Sequence, residues 1–315
     1  MTSAAGTTGL DGLPSIGPAV LTMGVFDGVH RGHRHLLHAT RDAAHARGVR
    51  GVALVFDPPP VEVLRHGTRV RRLAPLDVNI ARIEAEEIDH VVVLRFDAAI
   101  RQLSAEAFLD ALAPAIELRG LVMTPESAFG RNREGTPDAL EARGRDRGFD
   151  LIRTAPLVID GEVVSSTRVR LAIDAGDVRT ATQLLGAPPL LRGTVVSGDR
   201  RGRELGFPTA NLAFDYLPAL PPLGIYVGRV SVPERGVGPG HPALVSIGVR
   251  PTFHHAGTVL VEVYLLDFDG DLYDAQLTVE LLERLRTEER FDSVETLVAQ
   301  MRDDERRART LLGIG

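Results

Sequence analysis

Cysteine is absent from the chain, and so is lysine. Without cysteine, disulfides, thiolate catalysis and cysteine-ligated zinc are excluded. Without lysine, every fixed side-chain cation apart from a charged histidine is an arginine. That one-sidedness reads first as compositional bias, although arginine also suits phosphate where a planar, bidentate fork is wanted. A positive charge excess is missing too: 36 basic against 42 acidic residues leave a formal net charge of −6. Nucleic-acid backbones usually demand a basic surface, so no nucleic-acid partner is expected. No apolar run is long enough to cross a bilayer, so no membrane partner is expected. Residues 1–17 carry neither the basic start nor the apolar core of a secretory signal. A cytoplasmic location is the default expectation.

What is present fits a globular α/β protein. The 315 residues suggest about two domains, and 44% hydrophobic with 25% charged residues is ordinary for a folded chain. Residues 18–186 alternate strand-like and helix-like segments. Strands are expected at 19–25, 51–56, 91–96, 121–123 and from Leu151, with helices at 33–47, around 80–88, from Ser104 to about Leu112, and after Thr136-Pro137. Such alternation predicts a parallel sheet covered by helices on both faces. After a linker at Gly186-Ala187-Pro188-Pro189 the period shifts to two, with strands at 225–227 and 259–266. Asp269-Gly270 reads as a tight turn between strands. This half, 191–315, is expected to form a small antiparallel barrel. A closing helix is expected, with Asp292 and Glu295 as its capping box and Val294, Leu297, Val298, Met301 and Ala308 as its apolar stripe.

Three features of the second half carry chemistry. Residues 198–206, Gly-Asp-Arg-Arg-Gly-Arg-Glu-Leu-Gly, let backbone amides approach phosphate and supply positive charge. Gly198, Gly202, Arg203 and Gly206 are its candidate nucleotide contacts, although a surface loop has the same composition. In Phe207-Pro208-Thr209-Ala210-Asn211, Thr209 and Asn211 place two hard oxygens on one side of an extended segment, suited to Mg²⁺; an ordinary turn is the plainer reading. Glu262 shares a strand face with Leu260 and Tyr264, where a carboxylate is costly unless partnered or functional; the alternative is a solvated edge-strand glutamate.

Two features of the first half point to nucleotidyl chemistry. Gly24-Val25-Phe26-Asp27-Gly28-Val29-His30-Arg31-Gly32-His33 joins the first strand to the first helix. Helix N-termini attract phosphate, and His30 and His33 can donate to an α-phosphate as charge develops. Zinc would need a third ligand, and none is evident nearby. Ser165-Ser166-Thr167-Arg168-Val169-Arg170 combines helix-capping hydroxyls with arginine charge.

Taken together, these residues resemble the bacterial bifunctional riboflavin kinase/FAD synthetases over nearly the whole chain. The most specific segment is Arg201-Gly202-Arg203-Glu204-Leu205-Gly206-Phe207-Pro208-Thr209-Ala210-Asn211. Ser246-Ile247-Gly248, Pro251-Thr252-Phe253, residues 261–268, Leu285-Arg286-Thr287-Glu288 and Arg290-Phe291 support it. The resemblance implies a Rossmann-like nucleotidylyltransferase domain followed by a six-stranded antiparallel Greek-key β-barrel with a C-terminal helix. It implies Glu262 as the base for the ribityl 5′-hydroxyl, Thr209 and Asn211 as holders of Mg²⁺–ATP, and Pro208 beside them in the nucleotide site. In the first half it implies catalytic His30 and His33. Gly24, Phe26, Asp27, Gly32, Ser166, Thr167 and Arg170 would bind nucleotide. Riboflavin, FMN and ATP are the implied small-molecule partners.

The first half departs from that family in three places. Pro59-Pro60 stand where histidine and proline usually follow Phe56-Asp57-Pro58. Thr124-Pro125-Glu126-Ser127-Ala128-Phe129-Gly130 replaces a Gly-Glu-Asp-Phe-Arg-Phe-Gly segment. Asn79 stands where a lysine is usual. Two alternatives for this half therefore stay open: use of another nucleotide such as CTP, or a non-catalytic flavin- or nucleotide-binding scaffold.

Overall fold

The computed structural model describes residues 8–65, 67–198, 205–249 and 259–314. They form two compact units. The first comprises the residues up to Val70 and Leu76–Ser165; the second comprises Arg71–Pro75 and Ser166–Gly315.

In the first unit five parallel strands run in the order β3-β2-β1-β4-β5. They are β1 (Gly17–Gly24), β2 (Arg50–Asp57), β3 (His90–Arg95), β4 (Ile116–Met123) and β5 (Asp150–Arg153), followed by a separate two-stranded pair, β6 (Val158–Ile159) and β7 (Glu162–Val163). Parallel strands need crossovers, which here contain α1 (Arg31–Arg47), α2 (Pro60–Leu64), α3 (Leu76–Glu84), α4 (Ala98–Gln102), α5 (Ala105–Leu112) and α6 (Pro137–Arg147). Strand side chains alternate between two cores. Val20, Ala53, Val55, Val91 and Val93 pack with Leu36, Leu37 and Ile83 of α1 and α3. Leu21, Val52, Leu54, Val92 and Leu94 pack with Phe108, Leu112 and Leu140 of α5 and α6. Burial on both faces explains the continuous apolar strand runs. The cap residues act as their types predict: Ser104 and Thr136 accept from Ala107 and Ala139 N–H, and Gly48 ends α1 with a φ of 62°. The expected helix near 80–88 lies earlier, at Leu76–Glu84. Strand order reverses at β1, whose carboxyl end lies between those of β2 and β4. Open α/β sheets bind ligands at such a switch point.

The second unit begins with α7 (Ser166–Asp174) and α8 (Val178–Leu185). The linker expected at Gly186 is the left-handed cap of α8, and both helices group with the barrel that follows. The barrel is closed in the order β10-β11-β12-β9-β8-β13, with every pairing antiparallel. Its strands are β8 (Leu190–Val196), β9 (Ala210–Ala213), β10 (Gly224–Val232), β11 (Val237–Val249), β12 (Val259–Leu265) and β13 (Gln276–Thr287). The run β13-β10-β11-β12 is the Greek-key order, a fourth strand returning beside the first. Asp269-Gly270 accordingly sits in a long connection rather than in a hairpin, since β12 and β13 are not neighbours.

The closing helix α9 (Val294–Leu312) covers the outer barrel face, where Ala308 packs with Val227, Leu244, Leu266 and Leu285. Its capping box is Ser293 with Thr296, one residue later than Asp292 and Glu295. Val294 is 56% exposed and outside the apolar stripe; the buried helix residues are Asp304 and Ala308.

Candidate active sites

The barrel site is built on strand alternation. Val261, Val263 and Leu265 enter the barrel core, so Glu262 and Tyr264 face outward, half-buried. Glu262 pairs in register with Ser246 of β11 on one side and Asn211 of β9 on the other. Opposed Cβ atoms of antiparallel pairs lie ~5 Å apart, so these three side chains form one row. The edge-strand alternative for Glu262 does not hold, because β12 is interior to a closed barrel. The Thr209 hydroxyl donates to Glu262 Oε1 at 3.3 Å.

Ala210 and Leu212 are buried, which turns Thr209 and Asn211 to the same side. Phe207 anchors this segment edge-on to the Tyr264 ring, 5.3 Å between centroids, while Pro208 is exposed. Burial pushes the Tyr264 hydroxyl above its ordinary range, and the charges of Glu305 and Asp267 add to this. Gly206 has a φ of 84°, a conformation that favours glycine. Gly198 is needed for a different reason: a Cβ there would collide with the Asn211 amide. Gly202, Arg203, and Pro251-Thr252-Phe253 lie outside the described residues.

Thr209, Asn211 and Glu262 offer only oxygen, the donor type that suits Mg²⁺. Among the described residues no cluster of three or more His, Cys, Asp or Glu could hold a metal. The donor set therefore fits an ion that arrives on nucleotide phosphates and keeps much of its water. The sequence gives Ser246 no role of its own; only the strand register brings it beside Glu262.

The second site lies at the carboxyl end of β1. The loop between β1 and α1 bends through Phe26 at φ 51°, Gly28 at 77° and Val29 at 42°. For Phe26 and the β-branched Val29 this costs roughly 1–3 kcal/mol each, strain of the kind concentrated at functional sites. Phe26, Asp27 and Val29 are buried, so packing holds the bend. His30 is the N-cap of α1, 4% exposed, and its Nδ1 accepts from the His33 backbone N–H at 3.2 Å. A neutral His30 therefore carries its proton on Nε2. The two imidazoles stack, 3.6 Å between centroids and 16° between planes, and Phe26 lies 5.2 Å from His33. Gly32 admits no side chain: a Cβ would lie 2.9 Å from the Val164 carbonyl oxygen and 3.2 Å from the His30 ring. Gly24 is the last residue of β1, beside the Phe26 ring.

Ser166 opens α7 and, with Thr167 and Arg170, groups with the second unit. Thr167 is exposed and Arg170 half-buried. Arg170 Nε donates to the Arg71 carbonyl at 2.7 Å, and Arg71 makes a bidentate pair with Asp174, at 2.6 and 2.7 Å. The Arg71 guanidinium holds the Asp174 carboxyl below its ordinary range, with the Arg170 charge adding to it. Sequence reasoning missed this strap, Arg71–Pro75, which also bonds through Arg72 to Leu217 and Ala219.

The first unit also holds an open cleft of about 520 Å³ at the carboxyl ends of β2 and β3, lined by Asp57, Pro58, Val63, Arg95, Phe96, Asp97 and Ala98. It shares the carboxyl edge of the sheet with the switch point at β1 but lies to one side of it, on the two strands β2 and β3.

A parallel α/β unit with paired histidines at its switch point, and a Greek-key barrel with a carboxylate among hydroxyl and amide oxygens, define an enzyme of phosphate-group transfer. Comparison with known proteins narrows this. The FAD synthetase family matches residues 14–168, and the riboflavin kinase family matches residues 185–312. The bifunctional riboflavin kinase/FMN adenylyltransferase of Pseudomonas fluorescens is 39% identical over 93% of this chain and 92% of its own. That of Escherichia coli K12 is 36% identical over 94% of this chain and 93% of its own. A solved structure of a macrolide-efflux protein from Streptococcus pneumoniae has a TM-score of 0.84 at 29% identity, covering 96% of this chain and 97% of that one. The chain belongs to the bifunctional riboflavin kinase/FMN adenylyltransferase family.

Proposed function

We propose that the barrel unit converts riboflavin to FMN with ATP, and that the α/β unit converts FMN to FAD with release of pyrophosphate. The observation that carries the first step is the row Ser246–Glu262–Asn211 with the Thr209 hydroxyl on Glu262. Glu262 takes the proton of the ribityl 5′-hydroxyl as its oxygen bonds to the γ-phosphorus; the bond from that phosphorus to the β-phosphate bridging oxygen breaks, and ADP leaves. Phosphoryl transfer asks a protein mainly for positioning and charge neutralisation. Thr209 and Asn211 would hold Mg²⁺, which neutralises the phosphates when bound. Gly198 and Gly206 are the described glycines proposed to meet the nucleotide.

In the second reaction an FMN phosphate oxygen attacks the α-phosphorus of ATP, and the bond to the leaving pyrophosphate breaks. His30, its proton fixed on Nε2, donates to the α-phosphate as charge builds there. His33 stacks behind it, and the N-terminus of α1 adds a favourable dipole. Ser166, Thr167 and Arg170 are the second unit's candidate phosphate ligands, by their resemblance to the family's motif. Both reactions are assigned to the cytoplasm, where ATP is supplied.

The test uses purified full-length protein. With riboflavin, ATP and Mg²⁺ it should form FMN, and Glu262→Ala should abolish this while flavin binding survives. Near wild-type turnover in that variant would remove Glu262 from the mechanism. With FMN, Mg²⁺ and each nucleoside triphosphate in turn, ATP should yield the dinucleotide. Product from CTP alone would reassign the nucleotide, and no product from any would leave a binding scaffold.

A further inference from the structure

The bend before His30 is gripped from a second element. Both main-chain polar groups of Gly28 are bound by side chains of α3: its N–H donates to Asn79 Oδ1 at 2.9 Å, and its carbonyl accepts from Arg82 Nη1 at 2.9 Å. The two side chains are three residues apart and share a helix face. Asn79 is 3% exposed, so its amide competes with little water. One turn on, Ile83 is fully buried in the same core as Phe26, Val29 and Leu37.

The bend's own backbone contributes the Val29 N–H to Phe26 carbonyl bond of 3.1 Å. That bond closes the turn but does not set the direction in which the chain leaves it. Three of the four residues from Phe26 to Val29 have positive φ, and only one is glycine. Packing of Phe26 and Val29 keeps the bend in place, and the two bonds from α3 fix the Gly28 peptide within it, so their loss lets that peptide turn toward ordinary backbone angles. His30 follows at once, and its ring orientation depends on where its main chain starts. The position that departs from the family's usual lysine is therefore occupied by an acceptor with a defined partner.

We infer that Asn79 and Arg82 are positioning residues for nucleotidyl transfer, acting through Gly28 on His30 and His33. This rests on the assignment of His30 to catalysis made above. Neither side chain is assigned contact with substrate. Their effect is to hold the histidines where the α-phosphate develops charge, so their loss falls on kcat rather than on triphosphate binding.

The experiment compares Asn79→Leu, Asn79→Asp, Arg82→Met and His30→Ala in the full chain. Dinucleotide formation from FMN and ATP is measured as kcat and KM, with FMN formation from riboflavin as a folding control in each preparation. Asn79→Leu fills similar space without an acceptor. It should lower kcat about tenfold or more, with the KM for ATP changed less than about threefold. Asn79→Asp keeps an acceptor for the Gly28 N–H and should recover most of the loss. Arg82→Met, at a half-buried position, should lower kcat in the same way and covers the case in which Asn79→Leu does not fold. Wild-type kcat in Asn79→Leu and Arg82→Met beside an inactive His30→Ala would overturn the inference while leaving His30 catalytic. A fully active His30→Ala would instead overturn the catalytic assignment, and the inference with it.

Discussion

Arg286 and Asp304 form a nearly buried ion pair that ties the end of β13 to α9. The Arg286 Nε lies 3.0 Å from both carboxylate oxygens and Nη2 lies 2.8 Å from Oδ2; the side chains are 11% and 4% exposed. Gln300 donates to Asp304 Oδ1 at 3.0 Å, and the guanidinium carbon stands 5.7 Å from the centre of the Phe291 ring. Removing one partner of such a pair leaves the other charge buried and uncompensated, at a cost of about 3–5 kcal/mol. Asp304→Ala is expected to lose stability of that order in urea unfolding. The double replacement Arg286→Met with Asp304→Leu should recover much of it, because no charge then stays buried. A loss under about 1 kcal/mol in the single variant would show that solvent reaches the pair.

Gly198 and Asn211 make a second close contact, this time in the site proposed for the kinase step. A Cβ on Gly198 collides with the far end of a movable side chain, the Asn211 amide, and the φ of Gly198 is not among the positive ones. The fold can therefore accept Gly198→Ala, but Asn211 must leave its place beside Glu262. FMN formation should fall about tenfold and need more Mg²⁺ to saturate, with the melting temperature nearly unchanged. Unaltered Mg²⁺ dependence would separate Asn211 from the metal.

These residues also show how far the sequence reaches. Strand and helix positions in the first unit follow from apolar runs and from caps such as Ser104 and Thr136, which act over one turn and so are visible locally. Glu262 stands out as a carboxylate on a mostly apolar strand face, whereas Thr209, Asn211, His30 and His33 read locally as a turn and a helix start and are picked out by the resemblance of the longer segments that hold them. Register is a different matter. Ser246 sits beside Glu262 only because β11 and β12 pair at that offset, and nothing local announces it. Asn79 reads in the chain as a lost lysine, and only folding reveals its bond to Gly28, 51 positions away. Asp269-Gly270 has the composition of a hairpin turn, but barrel closure separates its flanking strands. Asp304 interrupts the expected stripe of α9 because its charge is met by a residue of another element.

Gly32 and Val164 give a test confined to the α/β unit. The obstacle to a Cβ on Gly32 is a main-chain carbonyl at 2.9 Å, with the His30 ring at 3.2 Å. A carbonyl cannot swing aside as a side-chain tip can, so Gly32→Ala has to move α1 or the His30 ring. Dinucleotide formation is expected to fall about a hundredfold while FMN formation continues at the normal rate. Equal loss of both activities would mean that the substitution damages more than the histidine site.

Arg71 and Asp174 connect the strap to the helix that carries Arg170, and their pairing depends on pH. Hydrogen bonds from the Arg71 guanidinium come first in holding the Asp174 carboxyl below its ordinary value, 3.8, followed by the charges of Arg71 and Arg170. A carboxylate whose folded-state value is depressed binds fewer protons folded than unfolded as pH falls through that window. Its stabilisation is thus complete well above 3.8 and lost as pH drops through the lower folded-state value. The side chains are 45% and 35% exposed, so screening limits the pair to at most about 1 kcal/mol. Asp174→Asn should therefore melt only a few degrees lower at pH 7. That gap should narrow as pH falls below 3.8, where the wild-type carboxyl takes up its proton as well. Melting curves of both proteins across this range decide the matter. A gap that stays constant down to the most acidic pH at which both proteins fold would assign the difference to packing or to the Asn amide rather than to the charge of Asp174.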